Sequence, residues 1–413
     1  VTLRSIWAKI FHTSAIKVYQ MVLGIGSLFI TTRILGPGGR GQVAAVQSWA
    51  DLLHAIVSLS VANSIFFLLK EKEHDSENRM FGTLIASTVI LYGIAIVVFL
   101  VLYLVVPAVF GDIGFVFLFV GLAGILAYQF WNKVGERLIL YFDGIKKLNN
   151  IQFVVRTLGL LVMFVLVYVL PLHIWGYLIS LLVPNMLIGL YIFHMLRKDY
   201  ELRPIFDRGL TKRAIAVGFS FHLGSIAGML ISRTDAIMIN YFVGAVDLGL
   251  YDLAMRLVGF ANVLTQAIYQ ISYVVIAQGD EKESFRVLNK LMLQSFVLLG
   301  AIIAIGFFAA PILIRIVAGP EFGASIPFFR MLIWTVIPRN FSSFLVVYLV
   351  SNGMGKYSSI LTVIVSLMNV AMNMWLIPIY GAIGAVYATL AAQFLPLTVK
   401  FYLYRRITKD LAQ

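Results

Sequence analysis

The polar residues set inside long apolar runs are the ones able to do chemistry in this chain. Between 249 and 275, Asp252, Arg256, Gly259, Asn262, Gln266 and Gln270 follow one another at steps of 4, 3, 3, 4 and 4. That spacing lines them along one face of a helix. Gln47, Asp51, His54 and Ser58 do the same at steps of 4, 3 and 4, and a third stripe runs Thr13, Lys17, Gln20, Gly24, Ser27 and Thr31. Amides, hydroxyls and charges on one helical face suit a hydrophilic lumen. They serve equally as hydrogen-bonding glue between helices. Lys17, Gln20, Gln47, His54, Asn262, Gln266 and Gln270 are the lumen candidates from these stripes.

Charge narrows the cargo. Six cations lie within apolar spans, Arg156, Arg233, Arg256, Arg330, Arg339 and Lys400, against three acids, Asp51, Asp235 and Asp252. Asp252 and Arg256 are four apart and can pair on one helix. Asp235 points away from Arg233, so it needs another partner, Arg256 being one option. Lys400 can snorkel to the inner interface, and Arg330 lies close to the outer edge. Arg156, Arg233, Arg256 and Arg339 are then the interior cations. A guanidinium fork matches phosphate oxygens; salt bridging within the bundle is the alternative for each of them.

Other chemistry finds no support. The segment Arg33-Ile34-Leu35-Gly36-Pro37-Gly38-Gly39-Arg40-Gly41 is glycine-rich but lacks the preceding strand and the Lys-Ser/Thr ending of a phosphate loop. It reads as a tight outer turn between two helices. The six His are scattered with no metal-ligand spacing, and the absence of Cys excludes disulfides and thiolate chemistry. No resident cofactor or metal is called for.

The elements that carry these stripes must lie in lipid. Of 413 residues, 61% are hydrophobic and 12% charged, whereas soluble domains carry about 25% charge. Soluble-enzyme and nucleic-acid-binding classes drop out. About 20 apolar residues cross a bilayer as a helix, and twelve spans are expected: 14–35, 42–69, 81–106, 113–132, 148–170, 174–196, 214–241, 249–275, 289–310, 325–350, 357–379 and 383–404. The first run is too long for a cleaved signal peptide. With both termini cytoplasmic, 23 Lys and Arg fall on inner segments and only Arg33, Arg40 and Arg315 on outer ones, as the positive-inside rule requires. Most of the net charge of +13 is therefore topology.

A repeat is also visible. Gly36 and Gly41 match Gly244 and Gly249 at a shift of 208, Gly176 matches Gly384 at 208, and Pro171 matches Pro378 at 207. The expected fold is an all-α polytopic membrane protein with two six-helix lobes, 1–200 and 201–413. Parallel repeats of this kind occur in transporters, with the path between the lobes.

Three segments resemble a known family. Thr32-Arg33-Ile34-Leu35-Gly36-Pro37-Gly38-Gly39-Arg40-Gly41 is similar to the turn after the first span of Wzx-like polysaccharide and O-antigen flippases. These form the polysaccharide transporter branch of the multidrug/oligosaccharidyl-lipid/polysaccharide exporter superfamily. Asp235 to Gly244 with Gly249-Leu250-Tyr251-Asp252-Leu253-Ala254 resembles the mid-chain motif. Asn369-Val370-Ala371-Met372-Asn373 with Leu376-Ile377-Pro378-Ile379-Tyr380-Gly381-Ala382-Ile383-Gly384-Ala385 resembles the C-terminal one.

The resemblance implies a MATE-like V of two six-helix bundles in a bacterial inner membrane. The implied cargo is undecaprenyl-diphosphate-linked oligosaccharide, moved from inner to outer leaflet by alternating access with H+ or Na+ coupling. Polyprenyl-diphosphate oligosaccharide, the lipid bilayer and other glycan-assembly membrane proteins are the implied partners, and nucleic acid is not. The diphosphate is expected against Arg256, Arg233 or Arg156, with Arg339 a further interior cation. The coupling ion is expected at Asp252 or Asp51, then Asp235. A drug/cation antiporter of the same superfamily is the nearest rival, disfavoured by the cationic spans. A membrane-bound glycan polymerase or ligase is disfavoured by short outer loops.

Overall fold

The computed structural model describes residues 3–64, 77–142, 144–199, 205–278 and 281–408; the side chains of 3–14 and of most of 263–287 lie outside that description. Among the described residues, twelve α-helices follow in order. They are α1 Leu3–Val57, α2 Glu77–Val105, α3 Phe115–Phe142, α4 Gly144–Met163, α5 His173–Asp199, α6 Arg208–Phe242, α7 Ala245–Gln278, α8 Glu281–Ala318, α9 Ser325–Leu332, α10 Val336–Ser351, α11 Gly355–Tyr380 and α12 Ala382–Ile407. Nine described helical stretches are long and apolar enough to cross a membrane, ten with the bent pair in α6.

The expected spans map onto these helices with three differences, one being that the tenth, 325–350, is divided between α9 and α10 by a 3-10 turn at Ile333–Thr335. The first two spans share α1, which breaks at Gly36 (φ 63°, ψ −176°) rather than at a multi-residue loop. Pro37 then starts the second segment, as a proline lacking its N–H can at the first helical position. Within the second expected span, the chain turns at Leu59 and Ser60, both at positive φ, instead of running straight on.

Large apolar side chains face outward along these helices, including Leu104 (80% exposed), Phe308 (76%) and Trp375 (68%). Exposed apolar surface on this scale needs an apolar solvent, which lipid supplies. Interior packing is local by comparison: Leu288, Met292, Phe344, Leu345, Tyr348 and Tyr404 form one buried cluster.

The backbone carries the repeat more clearly than the residue types do. Left-handed residues recur in register: Gly36 with Gly244, Gly111 with Gly319 and His173 with Gly381 at a shift of 208, and Gly144 with Gly353 at 209. Close approaches recur with them. A Cβ on Gly41 would fall on the Ala245 carbonyl, and one on Gly249 would fall on the Pro37 carbonyl. Each glycine thus touches the other's first helical turn. Gly176 and Gly384 sit equivalently against the carbonyls of Leu166 and Leu376.

Contacts group the chain into two compact units, one of Val1–Gly41 with Leu230–Gln413 and one of Gln42–Met229. This grouping cuts across the expected boundary at 200/201. The reason is that α1, up to Gly41, is held to the C-terminal elements by the glycine crossing and by the side chains of Thr32, Arg33 and Arg40. Thr32 Oγ1 donates to the Val317 carbonyl (3.2 Å) and Arg33 to that of Ile316 (2.9 Å). In the other unit, Asp207 caps α6 by accepting from the Gly209 and Leu210 amides at 2.8 and 3.1 Å. It also meets Arg79 at 2.7 Å. The Leu210 amide foremost, with the Gly209 amide and Arg79, holds the Asp207 carboxyl below the ordinary carboxylate range.

Candidate functional site

Asp235 of α6 is the centre of a buried polar cluster. It is 3% exposed and accepts three hydrogen bonds, from Tyr251 Oη (2.7 Å), Asn373 Nδ2 (2.6 Å) and Thr389 Oγ1 (2.7 Å). Asn373 shares its amide with Asn369 Oδ1 at 3.2 Å, the i,i+4 spacing that puts both asparagines on one face of α11. Both asparagines are fully buried, and Asn373 Oδ1 and Asn369 Nδ2 have no hydrogen-bond partner among the described residues. The expected partner Arg256 is not among Asp235's contacts. Hydroxyls and an amide surround this carboxylate because four helices, α6, α7, α11 and α12, bring their polar positions to one point.

Arg256 is engaged elsewhere. Asp252 Oδ2 accepts from Arg256 Nε at 2.8 Å and from Arg40 Nη2 at 2.6 Å. The Asp252–Arg256 pairing follows the spacing, but Arg40 was assigned to an outer turn. Starting the helix at Pro37 puts Arg40 in its first turn, where the side chain is 2% exposed and also donates to Thr31 Oγ1 at 3.0 Å. One carboxylate therefore faces two guanidiniums, an arrangement that satisfies buried charge.

The stripes resolve unevenly. Asn262 is buried and donates to the Val258 carbonyl of its own helix. The side chains of Gln266 and Gln270 lie outside the described residues. In the unit Gln42–Met229, Asp51 Oδ1 accepts from Gln129 Nε2 at 2.6 Å, and His54 packs edge-on to Phe130 at 4.8 Å. Gln47 is half-buried there, and Lys17 and Gln20 are half-buried in the other unit. Arg233 is half-buried. Arg156 borders a cavity of about 100 Å³ that also exposes Asn132, Glu136, Gln152 and Asn185.

A larger cavity, of about 280 Å³, lies within the unit that holds Asp235 and contains both Arg339 and Lys400. Lys400 does not snorkel outward: it is 8% exposed. It lines the cavity instead. Arg330, expected at an outer edge, donates to the Phe307 carbonyl (3.0 Å) and lies over the Phe307 ring. No group of three or more His, Cys, Asp or Glu able to hold a metal ion occurs among the described residues.

Sequence reasoning missed Arg40, Tyr251, Thr389, Asn369 and Asn373 as partners of the acids. The asparagines carried a signal in their four-residue spacing. Tyr251 and Thr389 carried none, being single polar residues on two separate helices.

Comparison with known proteins places this arrangement. The chain has the fold of an inward-facing multidrug resistance MATE family transporter of the MOP superfamily, with 16% identity, TM-score 0.72, and 97% of this chain and 99% of that one covered. It is also similar to the lipid II flippase MurJ in an inward closed conformation, with 12% identity, TM-score 0.81, and 95% and 87% covered. An uncharacterized membrane protein of Methanocaldococcus jannaschii is 23% identical over 226 residues, 52% of this chain and 44% of that protein. The chain thus matches less than half the length of this curated relative. A family model described as "Polysaccharide biosynthesis protein" matches residues 6–278. This multi-pass membrane protein, built on the fold of the MOP superfamily, belongs to the polysaccharide biosynthesis protein family.

Proposed function

We propose that the chain is a flippase that moves undecaprenyl-diphosphate-linked oligosaccharide from the inner to the outer leaflet of a bacterial plasma membrane. Two six-helix lobes, 1–200 and 201–413, alternate access, and both termini are cytoplasmic. The observation that carries this reading is the match of a polysaccharide biosynthesis family model to residues 6–278 of a chain with a MOP-superfamily fold. The likeness to a protein named as a flippase of lipid II supports a lipid-linked cargo. The excess of cations over acids within the spans supports an anionic one, and Arg233 and Arg156 remain cargo-facing candidates.

The coupling-ion role passes to Asp235. Asp252 already faces two guanidiniums and Asp51 binds Gln129. Among the described residues Asp235 has only neutral partners and stands beside Asn373 Oδ1, which has none. A carboxylate, two amide oxygens and two hydroxyls form an all-oxygen set suited to a hard monovalent cation or, in its absence, a proton.

Reconstitution into liposomes with a fluorescent polyprenyl-diphosphate sugar tests the reading. Leaflet exchange accelerates over protein-free vesicles and responds to an imposed Na+ or H+ gradient. In Asp235→Asn the response to the gradient is lost. A drug/cation antiporter is the second reading, favoured by the shared fold with a multidrug transporter. Transport of cationic dyes without exchange of any diphosphate lipid would install it instead.

A further inference from the structure

We propose that the cavity bearing Arg339 and Lys400 is a binding site for the phosphate groups of an anionic lipid, diphosphate included. The site deepens the flippase reading and rests on it only for which lipid arrives. Arg339 is on α10 and Lys400 on α12, 61 positions apart in sequence, and both line the same cavity of about 280 Å³. Arg339 is the fifteenth residue of a 27-residue candidate span, Ser325–Ser351, near the middle of that span. Lys400 is more than nine-tenths buried. Among the described residues neither side chain has an ion pair or hydrogen bond, and the cavity lining contains no carboxylate.

Lys400, buried without an acid inside a membrane protein, is costly, and an anion in the cavity, met also by the exposed Arg339, removes that cost. The remaining polar lining fits the same ligand. Ser342, Thr362 and Gln393 border the cavity. Ser342 Oγ is buried with no partner of its own, a donor left over for a phosphate oxygen. Guanidinium supplies a two-pronged donor and ammonium a compact charge. Together they balance the two negative charges a diphosphate diester carries. At about 30 Å³ per water in liquid, the cavity has room for a diphosphate with several waters. Arg40 and Arg256, by contrast, share the Asp252 carboxylate.

Equilibrium binding to the purified full chain in lipid nanodiscs tests the site. The probes are farnesyl diphosphate, phosphatidylglycerol and, as a charge-free control, farnesol. Farnesyl diphosphate is expected to bind and farnesol not. Arg339→Gln or Lys400→Gln weakens farnesyl diphosphate about tenfold or more, and Arg339→Lys and Lys400→Arg stay within about threefold. Lys400→Met serves as a second neutral variant if Lys400→Gln fails to fold, and thermal melting checks each variant. Phosphatidylglycerol competing on equal terms makes a bilayer headgroup the ligand; failure to compete makes it a diphosphate-bearing cargo. Unchanged affinity in well-folded neutral variants, or no binding of either anion, overturns the site. A chain that flips lipid but passes through Arg339→Gln and Lys400→Gln unaltered overturns this site alone. One that binds through these residues yet never flips overturns the flippase reading alone.

Discussion

At the residue scale, the chain spends its buried charges in two contrasting ways. Asp252 meets both Arg40 and Arg256, with contacts of 2.6 and 2.8 Å, whereas among the described residues Asp235 is held only by neutral donors. Removing one member of a buried pair typically costs about 3–5 kcal/mol. Because Arg256 stays beside Asp252, Arg40→Met is expected near the lower end of that range. Combining it with Asp252→Asn should cost less than the sum of the two single changes, read as a thermal-melting double-mutant cycle. Additive losses would separate the two residues. The helical spacing of four made Asp252–Arg256 legible in the sequence. Arg40 was hidden because a Gly/Pro-rich stretch reads as a loop, and only the geometry at Gly36 shows that the next helix begins at once. The partners of Asp235 come from positions 251, 373 and 389, and no local pattern relates them.

At the scale of elements, α1 and α7 approach more closely than side chains permit. Gly41→Ala or Gly249→Ala places a methyl group onto the opposing carbonyl, and overpacking of this kind costs about 1–3 kcal/mol. Each variant should lower the melting temperature, while Gly38→Ala, whose nearest neighbour is a Val246 methyl at ordinary contact distance, should not. The start of α6 makes a second element-level case. The Asp207 carboxyl has a folded-state pKa below its unfolded value of about 3.9. Its stabilisation is therefore fully present above that value and is lost as pH falls through the folded one. Asp207→Ala should melt earlier than the parent at neutral pH, with the gap closing as the solution is acidified below about pH 4. A gap independent of pH would assign the effect to something other than the cap. Helix existence was legible because lipid demands long apolar runs; the crossing glycines were legible only as a shift of 208, their contact being a matter of three dimensions.

For the whole molecule, the register of left-handed turns is the strongest statement of organisation. Eight such residues form four pairs at shifts of 208 or 209, which composition alone hinted at through a few glycines and prolines. A chain cleaved in the connection between the two copies, within 197–213, should still assemble when the pieces are co-expressed. The reason is that α1 is held to α7 and α8 by contacts that do not depend on the intervening peptide. Co-purification of the pieces checks this, and recovery of each piece alone would contradict it.

The reciprocity of Gly41 and Gly249 has a further consequence. Backbone geometry is duplicated, but chemistry is not: by the same shift Arg40 corresponds to Leu248, Asp252 to Ala44, Asp235 to Ser27, Arg339 to Trp131 and Lys400 to Ile192. The two copies share a backbone register and differ in the polar side chains they carry. A chimera of two N-terminal copies would inherit the backbone register without the Asp235 cluster or the Arg339–Lys400 cavity.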